Sequence, residues 1–212
     1  MTITSILEYD KRKVLIQLDG RLTFPIYRSE VNKYRLIEGE EMTAEVYTEL
    51  IQEVLPKRLK LRAMNLLQKR SYTREGLRRK LAESRYPEYL IEEALEYVAA
   101  YRYLDDLRYA EEYIRCYSEN RSKRRIQQEL FTKGITAEVA EKAWANYEDA
   151  FAPIDEKQQI MDLLRKKHFD RDNADRKEVA RMMNFLYRKG YSIDSITKCM
   201  HLEDYETNLK NC

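Results

Sequence analysis

Lys80-Leu81-Ala82-Glu83-Ser84-Arg85-Tyr86, Glu129-Leu130-Phe131-Thr132-Lys133-Gly134-Ile135 and Phe185-Leu186-Tyr187-Arg188-Lys189-Gly190-Tyr191 carry one pattern three times. Each stretch closes a basic amphipathic helix, and a fresh helix start follows at Pro87, Thr136 or Ser192. Aligning Leu81, Leu130 and Leu186 brings Leu77 onto Ile126 and Met182, and Ile91 onto Ala140 and Ile196. The spacings are 49 and 56 residues. A unit repeated at such a period does not bury its own apolar stripe and stacks on its neighbours. The expected architecture is mainly α: three tandem three-helix repeats forming an elongated curved stack, with function on a face rather than in a pocket.

Working outward, the first repeat comprises Lys57 to Lys69, Thr73 to Ser84 and Pro87 to Tyr101. Thr73 caps its middle helix, and Pro87 suits the first turn of the third. The second opens at Asp105-Asp106, whose carboxylates suit a helix N-terminus by capping and by the dipole. It continues from Ser122, ends its middle helix at Gly134, a left-handed C′ residue, and closes with Ala137 to Tyr147. Pro153 marks the join to the third repeat, formed by Asp155 to Lys167, Arg176 to Lys189 and Ser192 to Met200, and the last dozen residues are expected to fray.

Ahead of the repeats, Ile3–Tyr9, Val14–Leu18 and Arg21–Ile26 are β-prone runs, and Asp19-Gly20 between the last two is a type I′ hairpin signal. Pro25 suits an edge strand, and Ser29 is placed to cap a short helix carrying Val31, Tyr34 and Leu36. Three short strands bury too little to stand alone, so this β-hairpin or β-sheet module packs on the helix that follows. That helix opens at Thr43, and Pro56 kinks or interrupts it. The domain boundaries expected are 1–55 for the β-containing module with its linking helix, then 56–103, 104–152 and 153–212 for the repeats and tail.

Composition narrows the function classes. The chain has 212 residues, 36% of them charged, five Gly and four Pro, a mixture that favours solvated helices. Cys116, Cys199 and Cys212 are odd in number and widely spaced, which suits free thiols in a reducing cytosol. His168 and His201 stand apart from other ligand types, and neither a phosphate loop nor a nucleophile elbow is present. The expectation is a cytoplasmic, monomeric binding protein without cofactor, metal, catalysis or membrane association.

Charge supplies the candidate surface. From Lys57 to Arg85 there are eleven Lys/Arg against two Asp/Glu, and from Glu88 to Glu112 two basic against eight acidic residues. Either alternate helix faces are merely solvated, or a positive band faces a polyanion or an acidic protein groove. The candidate contacts in repeat one are Arg74, Arg78, Arg79, Lys80 and Arg85. Repeat two offers Lys123, Arg124, Arg125 and Lys133, and repeat three Arg165, Lys166 and Lys167, which also complement a helix C-terminus. Cations at Arg121 to Arg125 oppose the dipole of the helix they open, which points to an external anion.

Tyr103-Leu104-Asp105-Asp106-Leu107-Arg108-Tyr109-Ala110 resembles the leucine-aspartate-aspartate signature of the RecX family, bacterial modulators of the RecA recombinase. Arg125-Ile126-Gln127-Gln128-Glu129-Leu130-Phe131-Thr132-Lys133-Gly134-Ile135 is similar to the family's R-I-x-x-E-L-x-x-K-G-I run, and Thr73 to Leu81 to its S/T-x-x-E-L-x-x-K-L. The resemblance covers about Lys57 to Met200, and the β-containing extension is similar to that of Gram-positive members. Gly76 stands where the family usually has Glu, Ser122 where Gly is common, and Arg85 where the other repeats have Gly, so the first repeat's turn is expected to differ. Leu104, Asp105, Asp106, Ala110, Ile126, Leu130, Gly134 and Gly190 are assigned to the scaffold rather than to contacts. The resemblance implies binding in the groove of the RecA filament on single-stranded DNA. It also implies restraint of filament growth, ATP hydrolysis and strand exchange in DNA repair, recombination and the SOS response. Single- or double-stranded DNA is the second expected partner. A general nucleic-acid-binding helical-repeat protein is the competing function.

Overall fold

The computed structural model describes residues 1–151 and 153–200; the frayed tail expected after Met200, with His201 and Cys212, lies outside the described residues. By packing, the chain divides into two compact units, Met1–Asp106 and Leu107–Cys212.

The first unit opens with an antiparallel sheet of β1 (Ile3–Glu8), β2 (Lys13–Leu18) and β3 (Leu22–Tyr27), ordered β1-β2-β3. Asp19 (φ 49°) and Gly20 (φ 66°) both take the positive φ of a type I′ turn, and β2 pairs β3 in register from Leu18↔Leu22 to Lys13↔Tyr27. Pro25 lies on edge strand β3, where its missing N–H leaves no ladder gap. The opposite edge is closed by Ile3 N–H to the Glu40 carbonyl and Gly39 N–H to the Ile3 carbonyl, both 2.9 Å. Helix α1 (Arg28–Tyr34) starts one residue before Ser29, which is therefore inside its first turn and not its cap. Glu30 takes the capping role instead, accepting from Tyr27 N–H at 2.8 Å. Leu36 lies just beyond the helix, buried.

Thr43 caps α2 (Ala44–Thr48) by accepting from Val46 N–H. The interruption expected at Pro56 takes the form of a π-helical turn, Glu49–Val54, running directly into α3 (Leu55–Lys69). Proline removes one helical donor and its ring crowds the carbonyl four residues back, and the widened turn absorbs both. Helices α4 (Arg74–Ala82) and α5 (Glu88–Ala100) complete the first repeat. Val14, Ile16, Phe24 and Ile26 of the sheet share one apolar core with Leu50, Leu55, Leu59, Leu77 and Leu81. Each such side chain contributes about 1.5–3 kcal/mol on burial, and none of the strands supplies enough of them alone.

In the second unit α6 (Asp106–Tyr117, shared at its first residue), α7 (Lys123–Thr132) and α8 (Ala137–Ala150) enclose Ala110, Ile114, Ile126, Leu130 and Trp144. Helices α9 (Glu156–Lys166), α10 (Arg176–Arg188) and α11 (Ile193–Cys199) enclose Ile160, Leu164, Leu186, Tyr191 and Ile196. Leu81, Leu130 and Leu186, aligned from the sequence, are each fully buried, and so are Leu77, Ile126, Ile91, Ala140 and Ile196.

All three middle helices are followed by a left-handed residue whose amide closes a turn. Arg85 N–H donates to the Ala82 carbonyl, Gly134 N–H to that of Phe131 and Gly190 N–H to that of Tyr187, each at 2.9 Å. The first turn differs as expected: Arg85 adopts φ 60° beside the 86° and 95° of the two glycines, but α4 ends three residues before it rather than two. Among the described residues, only the later turns add a bond from Ile135 N–H to the Leu130 carbonyl or from Tyr191 N–H to that of Leu186. Closing the helix outweighs the roughly 1–2 kcal/mol that a left-handed non-glycine costs.

Gly190 has a second duty. A Cβ there would stand 2.5 Å from Ser122 Oγ and 3.2 Å from the Arg125 amide nitrogen, because the α10 turn is seated on the first turn of α7. Ser122 Oγ donates to the Lys189 carbonyl at 3.0 Å while accepting from Arg125 N–H at 3.2 Å. Gly190→Ala should therefore lower stability by about 2–4 kcal/mol, the left-handed penalty plus overpacking. Gly20→Ala, with positive φ but open space around it, should cost about 1 kcal/mol. Denaturant unfolding compares them; equal losses would remove the proposed close approach.

Candidate functional site

The basic residues fall into two groups once their partners are known. In the first repeat, four of the five cations are neutralised within the repeat. Arg74 pairs with Glu92 at 3.0 Å and Glu96 at 2.6 Å, and Arg78 with Glu75 at 3.4 Å, with Glu88 and with Glu92. Arg79 meets Glu75 at 2.8 Å and Lys80 meets Glu83 at 2.7 Å. Arg74 and Arg78, from the sequence's positive block, thus meet glutamates of the negative block where α4 faces α5. Arg85 is exposed, with no ion pair among the described residues.

The second repeat holds its cations by carboxylates and rings. Lys123 pairs with Glu148 at 2.5 Å and lies 4.9 Å over Trp144, and Lys133 lies 5.1 Å over Tyr113. Arg125 reaches Glu129 at 2.7 Å, and Arg121 pairs with the same carboxylate while covering Tyr117 at 3.7 Å. Burial alone pushes the Glu129 carboxyl up, but hydrogen bonds from Arg125, Tyr113 and Arg121 outweigh it and hold Glu129 below the usual range. Desolvation and the bond to Glu129 push Tyr113 up to about 12, so the phenol stays a neutral donor. Arg124 differs: it is exposed, and its recorded partner is the ring of Tyr187 at 5.8 Å.

In the third repeat Arg165 pairs with Asp162 at 3.0 Å, Lys167 lies 5.3 Å over Phe185, and Lys166 is exposed. The sequence reading passed over α10. Lys177, Arg181, Asn184, Tyr187 and Arg188 line one shallow groove on it. Lys177, Arg181 and Arg188 carry no ion pair among the described residues; Arg188 Nε donates to the Asn184 carbonyl at 3.3 Å. Their spacings of four and seven residues were the available signal. The α10 stripe and Arg124, like Arg85 and Lys166, are thus exposed cations without a carboxylate partner among the described residues.

The second aspartate of the Asp-Asp element reaches beyond the helix it opens. Asp106, first residue of α6, does not cap its own helix: its carboxylate accepts from Arg74 N–H, at the first turn of α4, at 2.7 Å. Glu156, first residue of α9, accepts from Lys123 N–H, at the first turn of α7, at 3.2 Å. A helix leaves its first amides without internal acceptors; here Thr73 or Ser122 satisfies one, and the carboxylate opening the next repeat satisfies another. Leu104, just before this element, is buried in the core of the first unit.

Desolvation pushes the Asp106 carboxyl up, against the bond from the Arg74 amide and the pull of its guanidinium. An acid whose folded pKa is raised loses stability as pH climbs from the unfolded to the folded value, so the ionised form is the costlier one at neutral pH. Asp106→Asn keeps an acceptor for Arg74 and should be at least as stable as the native chain at neutral pH. Asp106→Ala strands the amide and should cost about 1 kcal/mol. Thermal unfolding of both variants checks the order, and an Asn variant as weak as Ala would contradict it.

Comparison with known proteins agrees with this construction. Models of the second and third three-helix domains of RecX match residues 105–143 and 154–200. The chain is 36% identical over 140 residues to the regulatory protein RecX of Neisseria meningitidis serogroup C, covering 66% of this chain and 87% of that one. It is 30% identical over 206 residues to that of Clostridium perfringens, covering 91% of each. A crystal structure of a regulatory protein RecX superposes with TM-score 0.61 at 24% identity over 95% of this chain and 99% of the other. That of RecX from Lactobacillus salivarius gives 0.55 at 23%, over 71% and 97%, so both speak to the fold. The chain belongs to the RecX family of regulatory proteins.

Proposed function

We propose that this protein modulates the RecA recombinase by binding in the groove of the RecA filament on single-stranded DNA. There it limits filament growth, ATP hydrolysis and strand exchange in DNA repair and recombination. The observation carrying this reading is the match of both later three-helix domains to RecX. On those same domains lie Arg124 and the α10 cations, without carboxylate partners among the described residues.

The physical account is additive contact. Tandem repeats on one chain bind successive subunits with high effective concentration, so modest individual contacts sum to a stable complex. A ligand that binds one filament conformation better than another biases the filament toward it, by no more than that difference in affinity. Free cations meet acidic recombinase loops or DNA phosphates without first surrendering an internal partner. The reading makes the protein a regulator without catalysis or cofactor, monomeric, working in the cytoplasm where the filament forms.

RecA-driven ATP hydrolysis on single-stranded DNA, followed at increasing concentrations of this protein, tests the reading: turnover should fall. No fall at saturating protein would refute it. Arg124→Glu together with Arg125→Glu should keep native helicity by circular dichroism while raising the concentration for half-inhibition about tenfold. Most of that loss should come from Arg124, since Arg125 is already held by Glu129. Unchanged inhibition by the folded double variant would take this cluster out of the interface.

A further inference from the structure

The outward stripe of α10 has a geometry of its own. Lys177, Arg181, Asn184 and Arg188 fall within a sector of about 60° at 100° per residue, opposite the buried Val179 and Leu186. The stripe runs about 16 Å along the axis, at 1.5 Å per residue. Glu178, the one carboxylate within α10, lies about 100° round the helix from Lys177 and forms no ion pair with it. Tyr187 stands at the edge of the stripe, 47% exposed, with Arg124 of α7 on its other side.

We propose that this stripe is a binding site for the sugar-phosphate backbone of single-stranded DNA, with Tyr187 as the platform on which one base stacks. Three features select that occupant. The cations are spaced along a line rather than clustered, which suits successive phosphates of a strand and not one compact anion. Among the described residues they are unneutralised, whereas Arg74 and Arg78 of α4 are paired with carboxylates of α5 and Arg79 with Glu75 of its own helix, so the stripe attracts a polyanion more strongly than α4 does. An exposed aromatic beside the basic line is the feature that distinguishes single strands, whose bases are free to stack, from duplexes, whose bases are not. Asn184, between the cations, offers a neutral donor for a phosphate or sugar oxygen. With the stripe's polar groups on phosphate and sugar and one base stacked on Tyr187, binding is indifferent to sequence.

Fluorescence anisotropy of the full chain with a labelled oligothymidylate, titrated with salt and without any recombinase, tests this separately from the RecA reading. The variant Lys177→Gln/Arg181→Gln/Arg188→Gln should flatten the slope of log affinity against log salt by about 2, at roughly 0.7 per phosphate contact. Arg78→Gln/Arg79→Gln, which removes internally paired cations, should leave the slope unchanged. Tyr187→Ala should weaken binding about tenfold and Tyr187→Phe should restore it. A folded triple variant with the native slope would overturn the proposal. So would a duplex of the same length bound as tightly, with Tyr187→Ala without effect, which would assign the stripe to duplex phosphates. A native chain that ignores the oligonucleotide, but loses its hold on DNA-free RecA when the stripe is neutralised, would assign it to an acidic protein surface.

Discussion

The N-terminus of a middle helix is the point on which these repeats depend. Ten or so residues cannot satisfy their own first amides, and a three-helix bundle this small has no spare loop to do so. In α4 and α7 the deficit is met by a local hydroxyl and by a carboxylate more than thirty residues away, Asp106 or Glu156. At α7 the fit is tighter still, because Ser122 also donates to the Lys189 carbonyl and Gly190 leaves room for the approach. Gln159 extends the joint, donating to the Ser118 carbonyl at 2.6 Å and accepting from Tyr191 at 3.1 Å. A repeat is therefore complete only when the next has begun, which couples the fold of each to its neighbour.

The same logic explains where charge is left over. Where a following helix lies across a basic face, it brings glutamates to it, and α4 ends with most of its cations paired. The third repeat ends the described structure, and its middle helix relies on its own Asp175 cap. Its outer face keeps Lys177, Arg181 and Arg188 without counter-charges among the described residues. Surface pairs such as Arg79–Glu75 add at most about 1 kcal/mol of stability. Their consequence is instead electrostatic, fixing which parts of a nearly neutral chain attract an anion.

Local chemistry made much of the fold legible. The Leu81, Leu130 and Leu186 alignment located core positions, the Asp19-Gly20 hairpin followed from turn chemistry, and Thr73, Ser122 and Thr136 cap the helices they precede. Properties set by distant partners were not legible. Ser122 and Lys189 meet across 67 positions, and Arg74 finds Glu96 across 22. Charge counts along the chain suggest a basic band in repeat one; the packing of α5 on α4 answers Arg74 and Arg78. The Asp-Asp element was readable as a helix start, but the bond from Asp106 to the first turn of α4 was not.

Amide hydrogen exchange at Arg74 and Lys123 tests the dependence of one repeat on the next most directly. Both are first-turn amides with no acceptor inside their own helices. Bonded to Asp106 and Glu156, they should exchange only through cooperative opening, with protection close to that of core amides such as Leu81 and Leu130. Exchange at the rate of a frayed, solvated helix end would show that each repeat stands alone.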